Sequence, residues 1–222
     1  MAASPRAWAN AVVTIDELHV ADEPERWQAL GFYVSDGCCQ LASVCMRLAG
    51  RAAGKGIVGW SLRGIASAEL DGLPTTISRA TIREAAREHP NGVRAIDHVV
   101  AFSPALERSV DALQAAGLEL RRIREEPTPA GAPRQAFFRL GAEILEVIQQ
   151  PADSVAQTGG PHRPARLWGL ALIVVDLDRT VSALAPHAGA PRAAVQQGRR
   201  IATLRRSAGL AIPVALMTPQ TE

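Results

Sequence analysis

The runs AIDHVVAF at 95–102 and LWGLALIV at 167–174 are mostly apolar and rich in residues that favour strands. Each run is followed by apolar positions at helical spacing, so a strand leading into a helix is expected in both places. In SPALERSVDALQAAG, the residues Leu106, Val110 and Leu113 fall on one helical face, Ser-Pro opens the segment and Gly117 closes it. Those are helix start and stop signals. Three further strands follow in LELRRIRE, QAFFRL and EILEVIQQP, divided by AGAPR and by the Gly141 turn. The pattern is β-α-β-β-β.

The same pattern recurs. Residues from His98 and from Gly169 align without a gap over sixteen positions, with Leu106/Leu177, Arg108/Arg179, Val110/Val181, Ala112/Ala183 and Leu113/Leu184 identical. Such self-similarity marks two copies of one supersecondary unit. In the last copy the later strands are expected in AAVQQ, GRRIATLRRSAG and AIPVALMTP. A third, degenerate copy is expected near the N-terminus, with AVVTIDELHVAD as first strand, EPERWQALGF as helix ending at Gly31, and strands in YVSDGCCQL, SVCMRLAG and GIVGWSLRG. The chain therefore divides into a degenerate N-terminal module over 1–73, a helical connector over 74–93 with a helix near 81–88, and a two-module domain over 94–222, its modules at 94–151 and 164–219.

At 222 residues with 47% apolar and 21% charged content, the chain can bury a core. A net charge of +2, with arginines scattered among acids, gives no footprint for nucleic acid. No apolar run approaches a membrane span, and the N-terminal stretch lacks the apolar core of a secretory signal. A cytoplasmic protein is the expectation. Cys38, Cys39 and Cys45 are odd in number and crowded, which argues against a disulfide framework and a zinc knuckle. Trp27 sits at core spacing on its helix, and of the adjacent Phe137 and Phe138 alternation sends only one inward.

Tandem β-α-β-β-β modules, one opening on IDHVV and closing on EILEVIQ, resemble the vicinal oxygen chelate superfamily, which includes glyoxalase I, extradiol dioxygenases and bleomycin-resistance proteins. The resemblance implies an α+β fold in which paired modules form a cup-shaped mixed sheet. It also implies a divalent metal ion held in the cup by residues from the first and last strands of each module. Carried over by position, these are His98 and Glu146 in the middle module, whereas the last module offers Gly169 and Val214, which cannot coordinate. Glu17 falls at the His98 position of the N-terminal copy and is the third candidate ligand.

For His98 the alternative is a strand histidine satisfied by a carboxylate or the backbone, and for Glu146 a cavity carboxylate paired with an arginine. Two functions stay open. One is a metal-dependent lyase, isomerase or dioxygenase; the other is a metal-free protein that binds or sequesters a small molecule in the cup. The unpaired N-terminal module would leave a strand edge open, so a homodimer is expected.

Overall fold

A computed structural model describes residues 12–84, 88–128 and 131–220. It contains two sheets. The first is five-stranded: β1 (Thr14–Val20), β2 (Cys38–Leu41), β3 (Val44–Leu48), β4 (Ile57–Arg63) and β5 (Thr75–Ile77), in the order β2-β3-β1-β4-β5. The second is eight-stranded: β6 (Val93–Ser103), β7 (Glu119–Arg124), β8 (Gln135–Leu140), β9 (Glu143–Gln149), β10 (Arg166–Val174), β11 (Arg192–Ala193), β12 (Arg200–Thr203) and β13 (Val214–Met217). Its order is β11-β12-β13-β10-β6-β9-β8-β7. Helices α1 (Pro24–Ala29), α2 (Leu106–Ala115), α3 (Ala152–Gln157) and α4 (Leu177–Ala183), with short 3-10 turns at Arg51–Ala53 and Arg206–Ala208, complete the described elements. The α+β class and the modular repeat are as the sequence leads one to expect.

The chain separates into two compact units. One is built from residues up to Asp16, Gly59–Ala80 and Val99–Leu167; the other from Glu17–Val58, Thr81–His98 and Trp168 onward. In the first unit, α2 lays Leu106, Val110 and Leu113 against the sheet, where Ala136, Phe138, Leu140, Leu145 and Val147 are buried. Alternation then leaves Gln135, Phe137, Arg139, Ile144, Glu146 and Ile148 on the opposite, open face. In the second unit, Leu18, Val20, Cys39, Leu41, Val44, Met46 and Leu48 share one buried face with Trp27 of α1.

Helix α1 starts with Pro24, whose missing N–H costs nothing at that position. It stops at Gly31, whose φ of +75 is open only to residues that tolerate the left-handed region. Helix α4 is capped by Asp176, whose Oδ1 accepts from the Arg179 N–H at 3.0 Å.

Strand order in the N-terminal region differs from the expected single module. Strand β3 runs parallel to β1 and takes the closing position, while β4 lies on the other side of β1 and pairs in parallel with β5. The inner order β5-β4-β1-β3 thus repeats the inner order β13-β10-β6-β9 of the larger sheet. A shared detail supports the correspondence. Trp60 N–H donates to the Pro74 carbonyl at 3.0 Å, and Leu170 N–H to the Pro213 carbonyl at 3.1 Å. In each case a glycine precedes the donor.

Two other local expectations differ. The connector contributes β5, and residues 81–84 and 88–89 are not helical; 85–87, on which the expected helix also falls, lie outside the described residues. Cys38 and Cys45 form a disulfide between β2 and β3, with Cα atoms 5.7 Å apart. The hairpin register explains it, because Gln40 faces Cys45 and Cys38 faces Arg47, so the two cysteines are diagonal neighbours on one face. Cys39 points to the core, and burial pushes its thiol up to about 12.

Candidate functional site

His98 stands midway along β6. Its Nδ1 lies 2.7 Å from Asp97 Oδ2, and Asp97 Oδ1 accepts from Arg199 Nη2 at 2.5 Å. Arg199 is itself buried and donates Nε–H to the Thr218 carbonyl at 2.9 Å. Burial pushes the Asp97 carboxyl up, but its bonds to His98 and Arg199 outweigh this and hold it below the usual carboxylate range. An ionised Asp97 places the imidazole proton on Nδ1. Neither Asp97 nor Arg199 was singled out from sequence; the only signal was the Asp-His dipeptide, and nothing in the chain connects it to a residue so far along.

Glu146 lies on β9, directly across from Phe137 on β8, and accepts a hydrogen bond from Gln135 Nε2. On the next strand Arg122 faces Phe137, and its guanidinium carbon is 4.8 Å from the ring centre. One row of the open face therefore reads Arg122, Phe137, Glu146. The flanking rows are Glu119, Arg139, Ile144 and Arg124, Gln135, Ile148. Phe138 occupies the core and Phe137 this open face, as alternation requires.

Glu17 is in a different setting. Its Oε1 accepts from Arg47 Nη2 and Arg83 Nη2, both at 2.9 Å, and His19 Nε2 is 3.2 Å from Oε2. The Arg47 hydrogen bond is the largest influence holding its carboxyl below the ordinary range. Among the described residues no three His, Cys, Asp or Glu side chains are grouped so that they could hold a metal ion.

The last module shows why its ligand positions are empty of chemistry. A Cβ at Gly169 would lie 2.7 Å from the Pro213 carbonyl oxygen, and Val214 is buried. The same contact would be 3.1 Å between Gly59 and Pro74. At Gly169 the closing strand enters so tightly that a side chain would have to displace backbone, and at Gly59 the approach is tight but less so. The residues present therefore do not fit the metal centre that the resemblance implies.

A buried carboxylate outside the sequence-derived candidates is Glu143, at the start of β9. Burial pushes its carboxyl above the usual range, with the Arg63 charge acting against it. An acid shifted this way contributes stability that is fully present below its unfolded pKa of about 4.3 and is lost as pH rises through its higher folded value. Glu143→Gln is accordingly expected to raise Tm at pH 7 to 8, with the gain fading toward pH 4. Paired thermal melts across that range check it; a Tm difference that does not change with pH would contradict the assignment.

A cleft of about 450 Å³ in the second unit is lined by His89, Asn91, Arg94, Asp176, Arg179 and neighbours, and holds none of the sequence-derived candidates. His89 there accepts the Tyr33 N–H at 2.9 Å on Nδ1 and donates Nε2–H to the Gln40 carbonyl at 3.0 Å. Burial lowers its pKa, so it sits in the fold as a neutral tether.

No family model matches the chain, and no curated protein matches it. Among solved structures it is similar to methylmalonyl-CoA epimerase from Mycobacterium tuberculosis, at 17% identity over 61% of this chain and 94% of that one, with a TM-score of 0.49. It is also similar to hypothetical protein BH1468 from Bacillus halodurans C-125, at 14% identity over 57% and 95%, TM-score 0.45. A third is Streptomyces coelicolor methylmalonyl-CoA epimerase in complex with 2-nitronate-propionyl-CoA, at 18% identity over 58% and 96%, TM-score 0.46. With the first and last strands of each β-α-β-β-β module side by side, the chain has the α+β build that the sequence pattern leads one to expect.

Proposed function

We propose that this is a glyoxalase-like protein that binds a small, flat, largely apolar molecule on the open face of its middle module, and does so without a resident metal ion. The observation that carries the reading is the row Arg122, Phe137, Glu146. Phe137 offers a half-buried ring, Ile144 and Ile148 extend the apolar surface, and a guanidinium on one side and the Gln135–Glu146 pair on the other supply orienting polar groups. Apolar walls with a few convergent polar groups are what small-molecule recognition requires. The bond from Gln135 and the two arginines on Glu17 engage the carboxylates that a metal would need, which favours this reading over a metal-dependent lyase, isomerase or dioxygenase.

The test uses chelator-treated full-length protein and the neutral fluorophore phenylnaphthylamine. Saturable fluorescence enhancement is expected, unchanged by added divalent ions and weakened about tenfold in Phe137→Ala, since a lost aromatic contact is worth about 0.5–1.5 kcal/mol beyond its buried area. Binding that requires a divalent ion, together with near-stoichiometric metal that disappears in His98→Ala, would overturn the reading in favour of the enzyme.

A further inference from the structure

The Cys38–Cys45 disulfide lies on a face of the second unit that gathers positive charge. Strands β1, β3 and β2 form this face, and their register sets two rows on it: His19, Arg47 and Cys38, then Glu17, Cys45 and Gln40. Arg47 reaches to both sides of β3. Its Nη2 donates to Glu17 Oε1 at 2.9 Å on the β1 side, and its Nη1 to the Asp36 carbonyl at 3.3 Å, two residues before Cys38. Arg83 donates to the same Glu17 oxygen at 2.9 Å, so two guanidinium groups share one carboxylate at the register position of Cys45.

The two sulfurs are not equivalent. Cys38 is half-buried and follows the exposed Ser35 and Asp36 and the half-buried Gly37, whereas Cys45 has no exposed surface. A thiol arriving from solvent therefore meets Cys38, and Cys45 is the sulfur that leaves. Neighbouring positive charge stabilises a departing thiolate, and a leaving thiol of lower pKa departs faster. Cys39 gives the contrast on the same strand: it points to the core, where burial keeps it an inert thiol.

We propose that Cys38 and Cys45 form a reversible thiol–disulfide exchange site for a small thiol, with Cys38 as the attacked sulfur and Arg47 as the charge that receives the Cys45 thiolate. The incoming thiolate attacks Cys38 Sγ; a new S–S bond forms there as the Cys38–Cys45 bond breaks, and Cys45 departs with the electron pair. A second small thiol then attacks the incoming molecule's sulfur and releases the Cys38 thiolate. The cysteine pair gains two electrons, and two small thiols become one disulfide. The site shares no residue with the row Arg122, Phe137, Glu146 and stands independently of the function proposed for it.

The experiment places the full chain in glutathione buffers and follows its thiols by alkylation and mass spectrometry. Reduction of the folded protein by glutathione, reversed by oxidised glutathione, is expected, whereas a purely structural disulfide resists that reductant. In Cys45→Ser, oxidised glutathione should leave one adduct on Cys38; in Cys38→Ser, Cys45 should stay unmodified. Arg47→Met should slow reduction about threefold or more, because the leaving thiol loses its neighbouring charge, and Arg47→Lys should stay close to wild type. Cys39 is the internal control, since its alkylation reports an unfolded variant; if Arg47→Met unfolds, the two cysteine variants decide the outcome. A disulfide that glutathione opens only in urea, an adduct on Cys45 rather than Cys38, or a folded Arg47→Met reduced as fast as wild type would each overturn the assignment.

Discussion

Trp27→Ala is expected to destabilise the protein by about 3–5 kcal/mol, the range for removing a fully buried large aromatic. Trp27 has no exposed surface and supplies the bulk that α1 packs into the second unit, with its ring 4.9 Å from Phe32 in an edge contact. The indole also has a polar duty. Its Nε1–H donates to Asp22 Oδ2 at 3.1 Å, and the same oxygen accepts from the Ala211 N–H at 2.9 Å. Asp22 is fully buried, and its other oxygen, Oδ1, has no partner among the described residues. Losing the indole therefore opens a cavity and strips one of the carboxylate's two donors. Trp27→Phe separates these effects: it keeps most of the packing and should cost only about 1–3 kcal/mol, the penalty for an unmet buried polar group. Urea melts followed by circular dichroism measure both. Equal losses in the two variants would mean that the hydrogen bond, not the packing, is what α1 depends on.

The role of Trp27 could be read in the sequence because it rests on local spacing, and the same is true of much of the fold. Period-two alternation sent only one of Phe137 and Phe138 inward, and Phe138 is the one the structure buries. The alignment of His98 with Gly169 located the module repeat before any strand order was known. What the sequence did not reveal depends on contacts between distant segments. That β3 rather than β4 closes against β1 is a matter of strand order, on which alternation is silent, since both strands have suitable apolar faces. The three-residue strand β5 lacks the length to show a period. The Cys38–Cys45 disulfide needed the hairpin register, and the partners of His98 needed the fold to bring Arg199 to Asp97.

The candidate site was legible in part for a related reason. Sequence could name His98, Glu146 and Glu17 as positions, but a position becomes a ligand only if its neighbours leave it available to a metal. Arg47 and Arg83 converge on Glu17 from β3 and the connector, and Gln135 reaches Glu146 from the adjacent strand. The glycine at 169 had seemed only a lost ligand; the structure gives it a positive cause, the close approach of the Pro213 carbonyl. Gly169→His would therefore not restore a ligand without displacing the start of β13.

Asp16→Ala is expected to cost about 3–5 kcal/mol as well, by a different mechanism: it leaves a buried guanidinium without its counter-charge. Asp16 and Arg63 are 7% and 11% exposed at their side chains and are joined by a short ion pair. Ser78 Oγ–H donates to Asp16 Oδ2 at 2.5 Å, while Arg63 donates to the Ile15 and Ala80 carbonyls, both at 2.8 Å. The cluster thus ties β1, β4 and the chain after β5 together through one charge pair. Replacing both partners, as Asp16→Leu with Arg63→Met, removes the stranded charge and should recover part of the loss. Recovery stays incomplete because the buried Ile15 carbonyl that Arg63 served is left wanting a donor, at about 1–3 kcal/mol. A double-mutant cycle from urea melts gives the coupling between the two residues. Arg63→Met has one more consequence, since it removes the positive charge that restrains the Glu143 carboxyl. Because Arg63→Met also strands the Asp16 carboxylate, the comparison is made with Asp16→Leu in both chains: stability of Asp16→Leu with Arg63→Met should fall more steeply than that of Asp16→Leu alone as pH rises above the ordinary carboxylate range, and adding Glu143→Gln should abolish the extra slope. A parallel pH dependence in those two variants would show that Arg63 and Glu143 do not share a field, and that the buried cluster ends at Asp16.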